Sequence, residues 1–124
     1  IATGHAPHTS FEKNQDFAIA PFGMTGLETA LVSLYDRFIA SGKFGWDVLV
    51  KRLSAEPRRF MNLPTVPVKG GSSAEFVVFN PDATTTFSAA FMKSRAVNTP
   101  FLDRTLKGRV ERVVFQGEEL LRRE

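Results

Sequence analysis

The sequence contains no cysteine, and only two histidines, one tryptophan and one tyrosine among its 124 residues. Without cysteine there are no disulfides and no thiolate metal sites, a pattern that fits a reducing cytoplasm. Long apolar runs are also missing. None approaches the roughly 20 residues that cross a bilayer, and no signal peptide is recognisable, so no membrane partner is expected. Charge of one sign is not concentrated either. The net charge is +3, and the basic residues are scattered apart from Lys51, Arg52, Arg58, Arg59, Arg122 and Arg123. The twelve phenylalanines sit inside apolar patterns instead of alternating with Lys or Arg, so no nucleic-acid partner is expected.

What is present divides at about residue 64. The first part, 1–63, reads as helical after a short strand and a loop. Ile1-Ala2-Thr3 has the character of a buried strand that runs directly into the loop Gly4-His5-Ala6-Pro7-His8. A strand at the very start, with no initiator Met, leads us to expect the back end of a larger protein. Thr25-Gly26-Leu27-Glu28 has the S/T-x-x-E form of a capping box. Leu27, Leu31, Leu34, Tyr35 and Phe38 follow at helical spacing, and Gly42 is placed to end that helix in a left-handed conformation. The pattern predicts a helix over 26–41, a second over 46–54, and a third, short one with Pro57 in its first turn, capped by Ser54 or Glu56 and running to Leu63.

In the second part, 64–124, the pattern changes to strands and turns. Glu75 to Asn80 is a β-branched and aromatic run stopped by Asn80-Pro81-Asp82, with a further strand predicted at Thr84 to Phe87. Arg109 to Phe115 reads as a strand that turns through Gln116-Gly117 into Glu118 to Leu121 as a hairpin. Lys69-Gly70-Gly71-Ser72-Ser73 lacks the spacing of a phosphate loop and precedes a strand, so a turn is expected there. Arg58 and Arg59 read as a solvated helix face.

Two histidines at i and i+3, His5 and His8, do not make a metal site by themselves, because such sites take three or four ligands in fixed geometry. The residues say more together. Ile1-Ala2-Thr3-x-His5-Ala6-Pro7-His8, then Phe17 to Gly23 as FAIAPFG, then Gly26-Leu27-Glu28-Thr29, resemble the last barrel strand, the following loop and the last helix of the long bacterial dihydroorotases. The resemblance continues through Leu53 to Pro57, Val77 to Pro81, Ser94-Arg95, Asn98-Thr99-Pro100-Phe101 and Leu106 to Val110, in order along nearly the whole chain.

That resemblance implies an α/β parent fold: the C-terminal end of an amidohydrolase (β/α) barrel, contributing its last strand and helices, plus the C-terminal strands of a small β-sandwich. Residues 1–63 would be the end of the barrel and 64–124 part of the sandwich. It implies a zinc-dependent interconversion of N-carbamoyl-L-aspartate and L-dihydroorotate in pyrimidine synthesis, in which metals polarise a carbonyl and acidify a bridging water. In the family pattern Asp-His-Ala-Pro-His, the Asp ligates a metal and shuttles the proton. Here that position is Gly4, which offers neither an oxygen ligand nor a proton acceptor. Glu12 and Asp16 lie nearby in sequence but on a loop, so neither is expected to replace it. His8 matches the histidine that meets the substrate carboxylate, and Pro21-Phe22-Gly23 matches the loop that meets the pyrimidine ring, with Gly23 permitting close approach. The other metal and substrate ligands of the family belong to earlier strands, so no metal site is expected within this chain alone.

Three readings follow. The chain is a fragment of a dihydroorotase-like protein, inactive alone and cytoplasmic. Alternatively it belongs to a non-catalytic relative that supports aspartate transcarbamoylase assembly, which Gly4 suits. The third, an unrelated small binding domain, is disfavoured by the end-to-end resemblance. If the chain is part of a barrel, the apolar stripe from Leu27 to Phe38 lacks its strands, and either self-association or a missing N-terminal barrel portion is expected to cover it.

Overall fold

The computed structural model describes residues 1–123. Three antiparallel strands form one sheet in the order β1-β2-β3: β1 Phe76–Thr86, β2 Thr105–Phe115 and β3 Glu118–Arg122. The β2-β3 reversal follows from two residues. Gln116 and Gly117 have φ of 50° and 85°, the paired positive values that match the twist of a two-residue hairpin. Phe115 then faces Glu118 in register, as the Gln116-Gly117 signal predicts.

At Asn80-Pro81-Asp82 the expected turn does not form, and β1 continues through it as one irregular strand with a register shift between Asn80 and Thr84. The reason is local. Pro81 has no N–H to give to the ladder, while the Asn80 Oδ1 accepts from Asp82 N at 3.0 Å and Ala83 N at 3.2 Å. Those amides are satisfied without reversing the chain, so pairing with β2 resumes at Thr84↔Lys107.

The helices are short segments interrupted by wider turns: α1 Ser10–Lys13, α2 Ala30–Leu34, α3 Trp46–Val50 and α4 Glu56–Phe60. Tyr35–Ile39 extends α2, and Lys51–Ala55 joins α3 to α4, both as π-helical turns. The separate third helix is thus the end of a continuous helical run, and neither Ser54 nor Glu56 acts as its cap; Pro57 is accommodated in the first turn of α4. Gly42 has φ of 73° and ends the α2 run as expected.

Two further expectations are corrected. Thr25 and Glu28 do not form a capping box. Thr25 is buried with its hydroxyl unpartnered, and Glu28 instead accepts from the backbone N–H groups of Lys93 at 2.7 Å and Ser94 at 2.9 Å. A carboxylate that reaches a distant loop cannot also fold back on its own helix start, so the helix begins only at Ala30. The same sequence form does build a capping box at Thr9–Glu12. Ile1-Ala2-Thr3 is also not a strand here. A strand exists only through a hydrogen-bonded neighbour, and these residues pair with none of the sheet's strands; Ile1 is half exposed instead of buried.

The core lies where α2 meets the sheet and the long connection from β1 to β2. Val32, Phe87 and Met92 are buried, with Phe79, Phe91, Val97, Phe101 and Leu106 packed around them. Next to it Tyr35 stacks on Trp46 at 5.2 Å and tilts against Phe79 at 4.8 Å, and its hydroxyl donates to the Pro81 carbonyl. Gly108, at φ 93°, lies directly under the Tyr35 and Phe79 rings, so a side chain there would collide with both. The helix stripe is therefore partly covered by the chain's own sheet: Tyr35 is buried, whereas Leu27 remains largely exposed. Phe76, Val77, Val78, Phe115 and Leu120 also leave much of their apolar surface in solvent.

Candidate functional site

Gly4, His5, His8 and the Pro21–Gly23 segment sit on two loops that lie side by side. Ala6 N donates to Met24 O at 2.9 Å, which couples the first loop to the end of the second. Gly23 has φ of 103° and comes so near Ala6 that a side chain would meet the Ala6 methyl. Glycine at this position therefore serves loop against loop, beyond the closeness to a ligand expected of it. Gly26 is equally constrained, because a Cβ there would run into the Gly4 carbonyl oxygen. Lys13 closes the second loop from outside, its Nζ donating to Pro21 O at 3.0 Å and Gly23 O at 3.3 Å.

A third segment, given no role by the sequence reading, holds both loops. The Asn98 side chain accepts from His8 N at 3.1 Å and donates from Nδ2 to Ala6 O at 2.9 Å and Gly23 O at 3.4 Å. Its backbone carbonyl accepts from Thr25 N at 3.0 Å. The only available signal was the Asn98-Thr99-Pro100-Phe101 motif, whose side-chain role is invisible without knowing which loops it meets.

The chemistry of each candidate residue follows from these contacts. His8 Nε2 lies 3.0 Å from the Phe22 carbonyl, which can only accept, so Nε2 carries the proton. The other ring nitrogen, Nδ1, lies 4.0 Å from Glu12 Oε2 and is the nitrogen left to accept or, in the charged ring, to pair. His5 Nδ1 accepts weakly from Gly26 N at 3.4 Å, leaving Nε2 outward on an exposed ring. Glu12 Oε2 accepts from both Thr9 N at 2.7 Å and Thr9 Oγ1 at 2.8 Å. These bonds to the anion hold the Glu12 carboxyl below its usual value, and His8 adds a smaller push in the same direction. The capping contribution is accordingly present at neutral pH and lost on acidification, as the carboxylate takes up its proton. Glu12 is committed to its cap and is not a free substitute for the carboxylate absent at Gly4.

Gly4 itself is exposed, and a Cβ built on it would meet nothing within 4 Å. Its backbone is also outside the left-handed region, so the fold does not require glycine here. Beside this loop pair lies an open cavity of about 470 Å³ whose walls include His8, Thr9, Glu12, Ser94 and Arg95. Among the described residues no three His, Asp or Glu side chains come together as a metal cage. With His8 Nε2 turned to a carbonyl and Gly4 lacking any side-chain donor, this set does not fit zinc by itself. A second hollow, of about 490 Å³, opens between α3 and the sheet; its lining is mostly apolar, with the Arg58–Glu75 ion pair at 2.7 Å on its edge. No helix among the described residues is long and apolar enough to cross a membrane.

No family model matches the chain. Individual relatives do. A dihydroorotase of Clostridium acetobutylicum is 38% identical over 118 residues, covering 95% of this chain and 28% of the relative. One of Carboxydothermus hydrogenoformans is 39% identical over 118 residues, covering 94% and 27%, and one of Mycobacterium tuberculosis is 37% identical over 120 residues, covering 95% and 28%. In three dimensions the chain superposes on a D-hydantoinase from Bacillus sp. AR9 with a TM-score of 0.79 at 23% identity, covering 97% of this chain and 27% of that one. The three strands and short helices correspond to the matched part of that structure, in agreement with the barrel-end and sandwich architecture expected from the motifs. Over nearly its whole length the chain is similar in sequence to dihydroorotases and in fold to a hydantoinase, and it spans little more than a quarter of the length of these proteins.

Proposed function

We propose that this chain supplies the substrate-facing loops of a dihydroorotase-like protein, and that the whole protein acts in the cytoplasm on the N-carbamoyl-L-aspartate and L-dihydroorotate pair of pyrimidine synthesis. The observation that carries this is the 37–39% identity to the three dihydroorotases over about 95% of the chain. In this reading the doubly protonated His8 ring meets the substrate carboxylate with its Nδ1–H, while its Nε2–H bond to the Phe22 carbonyl fixes the ring. The Pro21–Gly23 loop presents its backbone to the substrate ring. Zinc, when held by ligands elsewhere in the whole protein, supplies polarisation of the scissile carbonyl. This chain contributes no donor at Gly4, and the isolated polypeptide is not an enzyme.

The test is a graft in which residues 1–124 replace the matched segment of the Clostridium acetobutylicum dihydroorotase. The graft is expected to fold and to turn over N-carbamoyl-L-aspartate about 10²–10⁴-fold more slowly than its parent, the usual cost of a missing general acid or base. Full activity would refute the role given to position 4. A second reading, a non-catalytic scaffold that supports aspartate transcarbamoylase assembly, is favoured by one observation: Gly4 sits in open space where an Asp side chain would fit, so its loss is not imposed by the fold.

Detached from the rest of such a barrel, the chain leaves Phe76, Val77, Val78, Phe115 and Leu120 partly uncovered on one sheet. We propose that the isolated chain self-associates through its exposed apolar side chains unless a barrel portion covers them. Sedimentation velocity should show a mass that rises with concentration. A concentration-independent monomer would refute this.

A further inference from the structure

We propose that Asn98 is a positioning residue of this site, holding the His8 loop and the Pro21–Gly23 loop in one register through its side-chain amide. The inference deepens the functional reading above and rests on it for the meaning of the site, but its geometry stands separately. One primary amide makes three contacts with backbone groups 75 to 92 residues away: His8 N to Oδ1, and Nδ2 to Ala6 O and Gly23 O. No other residue type of this length offers an acceptor and two donors in one plane. The acceptor fixes the amide of His8, the donors tie Ala6 and Gly23 together, and Gly23 and Ala6 are already at contact distance.

The consequence reaches the His8 ring. Its Nε2–H bond ends on Phe22 O, in the second loop, while its own backbone is in the first. That bond forms only if the two loops keep their spacing, which is what the Asn98 fork sets. Asn98 is also anchored, since its partly buried segment packs through Val97 and Phe101 against the Val32, Phe87 and Met92 core. It is thus a post between core and site: it bonds the backbone of the wall residue His8 but is not itself among the residues that line the cavity.

The test uses the full 124-residue chain with ¹⁵N-labelled histidine. Wild type should show His8 in a single Nε2–H tautomer. Asn98→Ala removes all three contacts. Asn98→Asp keeps an acceptor for His8 N but places a carboxylate oxygen against two carbonyls. Both variants should convert His8 to a tautomer mixture, and Asn98→Ala, which alone removes the acceptor for His8 N, should also speed exchange of that amide about tenfold, the effect of one lost hydrogen bond. The His5 ring and the amides of β1 and β2 should keep their signals. Unchanged His8 signals in either variant would overturn the proposal, and in Asn98→Asp would show that the His8 contact alone suffices. Collapse of the sheet signals in both variants would also overturn it, by making Asn98 a residue of the fold and not of the site. None of these readings depends on turnover, so an inactive graft leaves the test intact.

Discussion

Gly4→Asp, introduced into the dihydroorotase graft, should raise turnover by about 10²–10⁴-fold, which is the largest change expected from any single substitution in this chain. The argument has a steric part and a chemical part. A side chain at position 4 meets nothing within 4 Å, and the backbone there is not in the left-handed region, so aspartate enters without displacing its neighbours. Gly26 already makes room for the Gly4 carbonyl, which keeps the loop's path independent of the side chain at position 4. Chemically, aspartate adds a carboxylate on the loop that carries His5 and His8, which the Glu12 carboxylate cannot replace because Thr9 occupies it. The measurement is the rate of dihydroorotate formation by the graft with and without the substitution, with zinc present. In the isolated chain the same substitution should produce no turnover, because His8 keeps its Nε2 on the Phe22 carbonyl and so does not join the restored carboxylate and His5 as a third metal ligand. If the graft carrying Gly4→Asp remains as slow as the graft with glycine, the lesion lies elsewhere, and the scaffold reading gains accordingly.

Local signals in the sequence were legible when they were satisfied locally. Gln116-Gly117 needs only its own positive φ values to turn the chain, and Gly42 likewise ends its helix, so both could be read without tertiary knowledge. Signals that require a partner were not. Thr25–Glu28 and Thr9–Glu12 have the same capping form, yet only the second caps, because Glu28 is drawn away by the Lys93 and Ser94 amides. Nothing in a four-residue window distinguishes the two. Asn80-Pro81-Asp82 reads as a turn until the long β2 pairing on both sides is known, and then it is an irregularity within one strand. The candidate site divides in the same way. His8 and Gly23 were named from motif position, while Asn98, which fixes them, is defined by contacts across 75 to 90 residues that no local pattern encodes.

Phe87→Ala should abolish cooperative unfolding of the isolated chain at room temperature. Phe87 is fully buried, packs edge-on against Phe91 at 5.4 Å and meets Phe101 at 6.5 Å. Truncating a buried phenylalanine costs about 3–5 kcal/mol, while whole domains are stable by only about 5–15 kcal/mol. This chain lies near the low end of that range, since the buried apolar side chains among its described residues are confined to Val32, Tyr35, Leu49, Phe87 and Met92. Denaturant titration followed by near-ultraviolet circular dichroism should show a sigmoidal transition for the parent chain and a flat or strongly shifted one for the variant. Phe17→Ala, at a ring that is 97% exposed, should stay within about 0.5 kcal/mol of the parent and controls for the loss of an aromatic as such. A shift below about 1 kcal/mol for Phe87→Ala would mean that this core does not hold the fold together. The expected loss also reaches the candidate site by a definite route. Phe87 N donates to Arg104 O and Asp103 N donates to Phe87 O, closing the 87–104 connection at its base. Asn98 rides on that connection, so its contacts to His8, Ala6 and Gly23 should fail in the same transition. The His8 tautomer and the circular dichroism signal should therefore change together along the denaturant axis, a coincidence expected only if the core and the two loops unfold as one unit.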